Sequence, residues 1–283
     1  MAAPLASVVM PVHNAVATVE AAVRSLLRQT YADLEIIVVD DGSTDDSAGV
    51  VERVGGQGVR VIRALHRGVV AARNTGCRLA RGRYLACLDA DDVAHERRLA
   101  AQVEYLTRHP DVGLLGTWAQ FEDETGRTWR FEPPTADRAL RRYLLRDNPF
   151  VHSSVMFRRE AYEAAGGYPD GPDEDYRLWV RIARSWQLGI LPEVLVTHRI
   201  RRGSYSRARG RRQALWNRLA VQWEAARTLG PWHAALPALA ATIGVAAVAA
   251  LGSCPDAVLR RAAVAGATRW RGVREVRGED RRF

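Results

Sequence analysis

The chain has 283 residues, which is enough for one large or two closely joined α/β domains. Apolar residues make up 47% and charged residues 26%, so the chain can bury a sizeable core beneath an ordinary polar surface. The formal net charge is +9, and all 41 basic residues are arginines, a bias in composition that does not by itself identify a partner. Because these arginines are dispersed, and no helix-turn-helix, zinc-finger or aromatic RNA-binding pattern is present, we expect no nucleic-acid partner.

The three cysteines do not predict a zinc site or a disulfide framework. Cys77, Cys87 and Cys254 lie far apart and form no CxxC pair. This usage is typical of a reducing compartment. The first residues lead quickly into a strand-like segment, without a basic region followed by a long apolar run, so we expect no secretory signal and a cytoplasmic location.

Strands alternate with helices in the first part of the chain. The predicted strands are Ser7–Val12, Glu35–Val39, Val59–Ala64 and Tyr84–Leu88, and the predicted helices between them are Thr18–Gln29, Ser47–Val54 and Gly68–Ala80. This alternation predicts an α/β fold with a mainly parallel, doubly wound sheet.

The alternation is less regular in the second part of the chain. The predicted elements there are a helix over Arg97–Arg108, a strand over Val112–Phe121, a loop over Glu132–Thr135, a helix over Asp137–Leu145, a strand-like segment over Ser153–Phe157, and helices over Arg159–Ala165 and Asp173–Ser185. We divide the chain into residues 1–110, 111–206 and 207–283, because the composition shifts beyond residue 206.

Polar residues follow two of the predicted strands. Pro11 and His13 come at the end of the first strand, and Asp41 at the end of the second. In an open parallel sheet, ligands bind at the carboxyl ends of strands, where a carboxylate can accept a hydrogen bond from a nucleobase N–H. Equally, Asp41 and Ser43 can cap a turn or the next helix, and the sequence alone favours neither interpretation.

Small residues surround Arg73 in the segment Ala71–Gly76, and they let a helix lie close to the sheet. The guanidinium of Arg73 can make a forked contact with a diphosphate. Taken alone, a solvated helix arginine and a packing glycine at Gly76 are the simpler interpretation.

Three carboxylates, Asp89, Asp91 and Asp92, come directly after the fourth predicted strand. Their repulsion costs free energy unless a cation or hydrogen-bond donors compensate it. In an extended segment Asp89 and Asp91 point to the same side, and their hard oxygen ligands suit Mg²⁺ or Mn²⁺. An exposed acidic turn or a helix cap is the alternative, but the apolar strand before the cluster favours metal binding.

A second acidic group, Asp173, Glu174 and Asp175, opens a predicted helix. One of these carboxylates can act as a general base if it lies within hydrogen-bond reach of an acceptor hydroxyl. Acidic residues at a helix N-terminus also interact favourably with the helix dipole, and taken alone this more common role is favoured.

Together, and in this order, these segments resemble the family 2 glycosyltransferases, which have the glycosyltransferase-A fold. The resemblance covers about residues 5 to 206. It is carried by Ser7–Asn14, Ser25–Tyr31, Glu35–Ser47, Ala71–Gly76, Tyr84–Asp92, His152–Arg158 and Glu174–Arg181. It implies a Rossmann-like, mostly parallel sheet with an acceptor-binding half and, beyond it, a C-terminal helical extension.

The resemblance also implies roles for the site residues. Pro11, His13 and Asp41 would line the nucleobase pocket, with Asp41 as the base contact, and Arg73 would lie near the diphosphate or the base. Asp89 and Asp91 form the family's DxD element, with Asp89 on the ribose side and Asp91 on Mn²⁺ or Mg²⁺. Asp92 would share either task. Asp175 matches the catalytic base, and direct displacement would invert the anomeric configuration.

The chain departs from the family pattern at four places. His13 and His198 stand where tyrosine is usual, His66-Arg67 replaces Asn-Gly, and Arg201 replaces a histidine that approaches the diphosphate. Arg201 can still bind phosphate but not a metal. These changes affect the identity of the donor rather than the class of reaction. The Gln-x-x-Arg-Trp signature of processive polymerases is not evident, which favours transfer of a single sugar.

We therefore expect an inverting glycosyltransferase that moves one sugar from a nucleotide-diphosphate donor to a hydroxyl acceptor. By resemblance the carrier is UDP, with dTDP and GDP as alternatives, and the acceptor is a glycan or lipid-linked molecule in cell-envelope polysaccharide or glycoconjugate synthesis. The alternative is a non-catalytic nucleotide-sugar-binding scaffold at a membrane assembly, and the presence of all three carboxylate sites argues against it.

The C-terminal segment raises the question of membrane contact. An arginine-rich helix over Arg207–Leu229, with Leu215, Leu219 and Trp223 at helical spacing, precedes the alanine-rich stretch Pro231–Cys254. Alanine contributes little transfer free energy, so a helical pair or a helix on the membrane surface is favoured over a span of about 20 residues. The segment either contacts anionic membrane peripherally, near a lipid-linked acceptor, or packs on the rest of the chain or on a second copy.

Overall fold

The computed structural model describes residues 5–201, 211–229 and 273–275, which contain a 10-stranded sheet and the helices around it. The strands are β1 (Ala6–Val12), β2 (Leu34–Asp41), β3 (Arg60–Ala64), β4 (Tyr84–Cys87), β5 (Val93–Ala94), β6 (Val112–Asp123), β7 (Thr128–Phe131), β8 (Met156–Arg158), β9 (Gln187–Ile200) and β10 (Val273–Glu275). The helices are α1 (Val19–Leu27), α2 (Ser47–Gly55), α3 (Val69–Leu79), α4 (Arg98–Arg108), α5 (Asp137–Leu144), α6 (Arg159–Ala164), α7 (Glu174–Ile182) and α8 (Arg211–Leu229), with 3₁₀ turns at Gly56–Gly58 and His152–Ser154.

The first half of the sheet is parallel, as the alternation of strands and helices predicts. β1 lies between β2 and β4 and is parallel to both, and β3 is parallel to β2. Side chains alternate between the two faces of these strands. Val9, Ile37 and Leu85 face one buried core, and Val8 and Val38 face the other. Both faces are covered, which explains the nearly continuous apolar sequence of these strands.

The second half of the sheet mixes directions. The strand order is β10-β7-β6-β8-β4-β1-β2-β3, and β8 is antiparallel to both β4 and β6. The predicted strand over Ser153–Phe157 is only partly correct, because its first residues form the 3₁₀ turn and the strand itself is Met156–Arg158. β6 continues into an antiparallel pair with β7 and runs parallel to β9, which also pairs with β5.

The long strand β9 was not predicted from the sequence. Its register with β6 shifts where Thr117 pairs with Leu191 and Trp118 with Val194, so Pro192 and Glu193 have no partner in β6. A bulge of this kind accommodates proline, which has no N–H to donate to a neighbouring strand.

Helix α3 lies unusually close to the sheet because of Gly76. A Cβ atom at this position would lie 2.3 Å from Cγ1 of Val9, far inside ordinary van der Waals contact. The interpretation of Gly76 as a packing glycine is therefore confirmed.

Helix α8 packs against α5 and α7, as one of the alternatives for the C-terminal segment predicts. Its buried face contains Leu219, Val221, Ala225 and Ala226, which belong to the core shared with α7. Trp223, at helical spacing from Leu219, is 59% exposed and is not part of this buried face.

The remaining predictions for this segment concern residues outside the described parts. Positions 207–210 of the predicted arginine-rich helix and the apolar stretch Pro231–Cys254 are among them. In the parts of the chain that the structure covers, no helix is both long enough and apolar enough to cross a bilayer.

Candidate active site

Most of the predicted site residues lie at the carboxyl ends of the strands or at the start of α7, and Arg73 lies within α3. His13 follows β1, Asp41 ends β2, Asp89 follows β4 and Asp175 lies in the first turn of α7. Arg201 comes directly after the end of β9. The parallel β1, β2 and β4 bring their ends to one edge of the sheet.

Asp41 is bound tightly to the loop that follows β3. Its carboxylate accepts hydrogen bonds from the backbone N–H groups of Arg67 at 2.8 Å and Gly68 at 2.9 Å, and it lies 2.9 Å from Nδ1 of His66. Asp41 is 3% exposed. The carboxylate thus binds the loop before α3, whereas the Ser43 N–H in the turn after β2 donates to Asp40, so the interpretation of Asp41 as the cap of that turn is wrong. These bonds do not exclude a ligand, because each carboxylate oxygen can accept more than one hydrogen bond.

His13, at the end of β1, contacts the end of β2. Its Nδ1 is 2.9 Å from the backbone carbonyl oxygen of Asp41, and its ring stacks on His66 with centroids 4.2 Å apart. The next residue, Asn14, has a left-handed φ of 50° and accepts a hydrogen bond from the Thr44 N–H at 2.8 Å. These contacts fix the ends of β1 and β2 to each other, and Pro11 is buried beside Val39 in the register of the two strands.

Arg73 joins two acidic groups that are distant in the sequence. Its Nη1 donates to Glu174 at 2.7 Å and its Nη2 to Asp89 at 3.0 Å, and the guanidinium lies over the ring of Tyr168. The side chain is only 9% exposed, so the interpretation of Arg73 as a solvated helix residue is wrong. A single buried cation thus joins the end of β4 to the start of α7.

His152 contacts Asp89 next to Arg73. Its Nδ1 lies 3.4 Å from Oδ1 of Asp89, and its Nε2 lies 3.0 Å from the hydroxyl of Tyr168. Burial of Asp89 favours the neutral acid, but Arg73 and His152 outweigh it and hold the pKa of Asp89 well below its usual range. Burial and Arg73 favour a neutral imidazole, yet Cys87 and Asp89 raise the pKa of His152 to about 10. Asp89 is therefore a charge-balanced anion.

The acidic segment after β4 is a turn. The Asp92 N–H donates to the Asp89 carbonyl at 3.1 Å, so the expectation of an extended segment over Asp89 and Asp91 is wrong. Asp92 is fully buried and its carboxylate accepts a hydrogen bond from the Arg199 N–H at 2.9 Å and lies 2.9 Å from Nδ1 of His198. Burial favours the neutral imidazole of His198, but the bond to Asp92 raises its pKa. Asp92 thus anchors β9, the strand that leads to Arg201.

Asp91 is the member of this cluster whose charge is not balanced. Within the described residues its carboxylate forms no ion pair, in contrast to Asp89 with Arg73 and Asp92 with His198. Burial, and then the negative charges of Asp92 and Asp89, raise the pKa of Asp91 to about 6. A half-buried carboxylate with excess negative charge around it fits a divalent cation, which would stabilise the ionised form.

Asp175 lies in the first turn of α7, two residues after Asp173, whose left-handed φ of 54° sharply redirects the chain. Its Oδ2 accepts a hydrogen bond from Nδ2 of Asn148 at 3.1 Å. Burial, and then the charge of Glu174, raise the pKa of Asp175 above its usual value. A carboxylate of raised pKa that remains partly accessible is suited to accept a proton near neutral pH.

Sequence reasoning assigned no individual role to Glu174, beyond its place in the acidic group, and none to His152 or Asn148. The first two lie inside segments that carry the family resemblance, so their motifs were recognised although their contacts were not. Asn148 lies in a loop after α5 and outside those segments, and only the folded chain brings it to Asp175.

Comparison with known proteins shows which family this chain is similar to. The family model for glycosyl transferase family 2 matches residues 7–166. An uncharacterized glycosyltransferase of Methanocaldococcus jannaschii is 30% identical over 226 residues, which are 76% of this chain and 77% of the relative. The UDP-Glc:alpha-D-GlcNAc-diphosphoundecaprenol beta-1,3-glucosyltransferase WfgD of Escherichia coli is 28% identical over 181 residues, covering 64% of this chain and 70% of the relative.

The fold also has a match among solved structures. The mannosyltransferase PcManGT from Pyrobaculum calidifontis, solved in complex with GDP-Man and Mn²⁺, superposes with a TM-score of 0.63. The match covers 96% of this chain and 82% of the other at 24% sequence identity. The predicted glycosyltransferase-A fold is confirmed.

Proposed function

The chain belongs to glycosyl transferase family 2, and on that basis we propose that it moves a single sugar from a UDP-sugar to a hydroxyl acceptor with inversion at the anomeric carbon. The observation that carries this proposal is the Arg73 bridge, which joins Asp89 of the strand-end acidic turn to Glu174, the neighbour of Asp175. The hydrogen bonds of Arg73 thereby join Asp89, a proposed donor residue, to the residue that precedes the proposed base in the chain.

The proposed donor site includes His13 and Asp41, where β1 and β2 end. In the proposal, Pro11, His13 and Asp41 contact the nucleobase, and the second oxygen of Asp89 accepts a hydrogen bond from a ribose hydroxyl. The first oxygen of Asp89 already faces Arg73 and His152. This arrangement fixes the carboxylate before the donor binds, so little rotamer freedom is lost on binding.

Asp91 and Asp89 are the proposed metal ligands, because their hard oxygen atoms suit Mn²⁺ or Mg²⁺ and the charge of Asp91 is not balanced within the described residues. When bound, such an ion neutralises negative charge on the departing nucleotide diphosphate. Arg201, which follows β9, is proposed to contact the same diphosphate. Asp92 holds β9 to the acidic turn and so sets the position of Arg201.

Asp175 is the proposed base. Its carboxylate removes the proton of the acceptor hydroxyl as that oxygen bonds to C1 of the sugar, while the bond from C1 to the diphosphate oxygen breaks. Attack from the face opposite the leaving group inverts C1. Asn148 orients Asp175 through the 3.1 Å hydrogen bond to Oδ2. The raised pKa of Asp175 increases its basicity relative to an ordinary carboxylate.

A lipid-linked or glycan acceptor in polysaccharide synthesis is the finer part of the proposal. Its support is the relative WfgD, whose name describes transfer from UDP-Glc to a diphosphoundecaprenol-linked sugar. Release of the matching nucleoside diphosphate from a panel of UDP-, dTDP- and GDP-sugars, with Mn²⁺ and with Mg²⁺, identifies the donor before any acceptor is known.

The test of mechanism compares two variants with a control. Asp91→Ala and Asp175→Asn are each expected to lower kcat by about a hundredfold or more, because each removes a group that acts in the transition state. Asp46→Asn alters an exposed acid paired with Arg53 and should keep wild-type activity. Asp175→Asn should still bind UDP in calorimetry. Wild-type turnover by Asp175→Asn would show that the base is another group.

A further inference from the structure

Two histidines and an aspartate form a compact cluster where β1 and β2 end. His13, Asp41 and His66 each contribute one ligand atom, and these three atoms lie within 4.8 Å of one another. Nδ1 of His66 is 2.9 Å from Oδ2 of Asp41, and Nδ1 of both rings lies within 3.0 Å of the Asp41 carbonyl oxygen. Ligands that lie about 2.0–2.2 Å from a tetrahedral zinc ion are about 3.4 Å from one another, so small movements of the two exposed rings would place these atoms around one ion.

The surrounding backbone holds this cluster in place. The N–H groups of Arg67 and Gly68 bind both oxygens of the Asp41 carboxylate, the kind of outer hydrogen bond that orients a metal ligand. Gly42 adopts a left-handed φ of 67°, and a Cβ there would lie 2.7 Å from the His66 N–H nitrogen. Only glycine lets the β2 turn approach the next loop this closely, so the backbone builds the cluster before any ligand arrives.

The ligand chemistry differs from that of the acidic turn after β4. That turn offers carboxylate oxygens alone, which suit Mg²⁺ and Mn²⁺, whereas two imidazole nitrogens and one carboxylate suit Zn²⁺, Ni²⁺, Co²⁺ and Cu²⁺. Asp41 is nearly inaccessible, while the His66 side chain is 59% exposed, so an ion can enter from solvent and find a fixed anionic ligand.

We propose that His13, Asp41 and His66 form a second cation site that takes Zn²⁺ or a related imidazole-preferring transition-metal ion. One nitrogen of each ring and a carboxylate oxygen bind the ion, with any Nδ1–H bond to the Asp41 carbonyl given up where Nδ1 is the ligand, and a fourth position stays open to water. One consequence rests on the proposed function: because His13 and Asp41 line the nucleobase pocket, the bound ion competes with the nucleotide and Zn²⁺ inhibits transfer.

The site is tested by metal binding in the absence of nucleotide, so the outcome does not depend on the proposed activity. Metal-free full-length protein is titrated with Zn²⁺ in calorimetry and with Co²⁺ by visible absorbance. Asp91→Ala, which lacks the other proposed metal ligand, should bind one equivalent as tightly as wild type. His66→Asn should weaken this binding at least about tenfold, because one of three ligands is lost.

His109→Asn is the matched control. Like His66, His109 is exposed, its Nδ1 lies 2.8 Å from a main-chain carbonyl oxygen, and its ring stacks on another ring, that of Tyr105, with centroids 4.0 Å apart. Unlike His66, it does not belong to the cluster of His13, Asp41 and His66. Its replacement should leave Zn²⁺ binding unchanged. His13→Asn provides a second ligand variant, and its melting temperature without metal shows whether it is folded.

Three outcomes overturn the second site. These are undiminished Zn²⁺ affinity in folded His66→Asn and His13→Asn, loss of the Zn²⁺ equivalent in Asp91→Ala, or an equal loss in His109→Asn. Zn²⁺ inhibition is measured separately, as the half-inhibiting concentration at low and at high donor. If His66→Asn loses the binding but not the inhibition, the ion does not act through the nucleobase pocket.

Discussion

Arg73 and Glu174, 101 residues apart in the sequence, meet with 2.7 Å between Nη1 and Oε1, and each side chain is less than a tenth exposed. The other terminal nitrogen of Arg73 donates to Asp89. The guanidinium therefore balances one carboxylate after β4 and another at the start of α7. Breaking either contact therefore changes the electrostatic environment of both Asp89 and Glu174.

The Arg73–Glu174 pair should contribute measurably to stability. Loss of one partner of a buried pair costs about 3–5 kcal/mol, but Glu174→Gln keeps a hydrogen-bond acceptor and Asp89 still balances Arg73, so we expect a loss of about 1–3 kcal/mol. Urea unfolding followed by tryptophan fluorescence measures it. Glu163→Gln removes the exposed partner of Arg159 and should change stability by less than about 0.5 kcal/mol. Equal losses in both variants would contradict the prediction.

The pH dependence of the rate should report the pKa of Asp175. A base acts only when deprotonated, so kcat/KM falls as the pH falls through this raised pKa. Glu174→Gln removes a neighbouring negative charge and should move the acidic limb to lower pH. Asn148→Ala removes a donor to the ionised carboxylate and should move it to higher pH. Limbs that stay in place in both variants would show that Asp175 does not control the profile.

Local sequence predicts the first half of the fold well because β1, β2 and β4 are buried on both faces and end at clear turn signals. Strand β9 is different. Its sequence contains Pro192 and mixes apolar with polar residues, and it becomes a strand through pairing with β6, some 75 positions earlier by the pairing of Val112 with Gln187. A pairing over that distance leaves no local period to detect.

The candidate site residues were also easier to predict than the contacts between them. The sequence places Asp89 and Asp175 at a strand end and a helix start, and the structure agrees. It does not show that Arg73 lies between them, since that contact depends on where the folded chain places the start of α7 relative to α3. The expected extended geometry of Asp89 and Asp91 failed because the backbone turns back at Asp92 to meet β9.

Without metal, Asp91 should destabilise the fold at neutral pH. Its folded-state pKa of about 6 lies above the ordinary value of 3.8, so the unfolded chain ionises more readily and stability is lost as the pH rises through about 6. Asp91→Asn should therefore be about 1–3 kcal/mol more stable than wild type at about pH 7. The difference should shrink as the pH is lowered towards about 4. Urea unfolding at several pH values in the presence of a chelator measures this difference.

Addition of Mn²⁺ should reverse that order. An ion that binds only the folded state raises the melting temperature of the wild type, and Asp91→Asn, with one proposed ligand lost, should respond much less. Asp46→Asn, an exposed site, should behave as wild type with and without the ion. Equal Mn²⁺ shifts in wild type and Asp91→Asn would remove Asp91 from the metal site.

The close approach of α3 to the sheet gives a prediction that links packing to activity. In Gly76→Ala the new methyl group would meet Val9 Cγ1 at 2.3 Å and Val39 Cγ2 at 3.2 Å. Overpacking costs about 1–3 kcal/mol, and the better helix propensity of alanine, about 1 kcal/mol, offsets only part of it. Val9→Ala removes the clashing atoms, so Gly76→Ala should cost less in that background, by more than about 0.5 kcal/mol in a double-mutant cycle. If the free-energy changes of Gly76→Ala and Val9→Ala were strictly additive, α3 would have moved away from Val9 without cost, and the prediction would be wrong. Because Arg73 lies one turn earlier on α3, the single variant should also lower kcat, and the double variant should recover part of it.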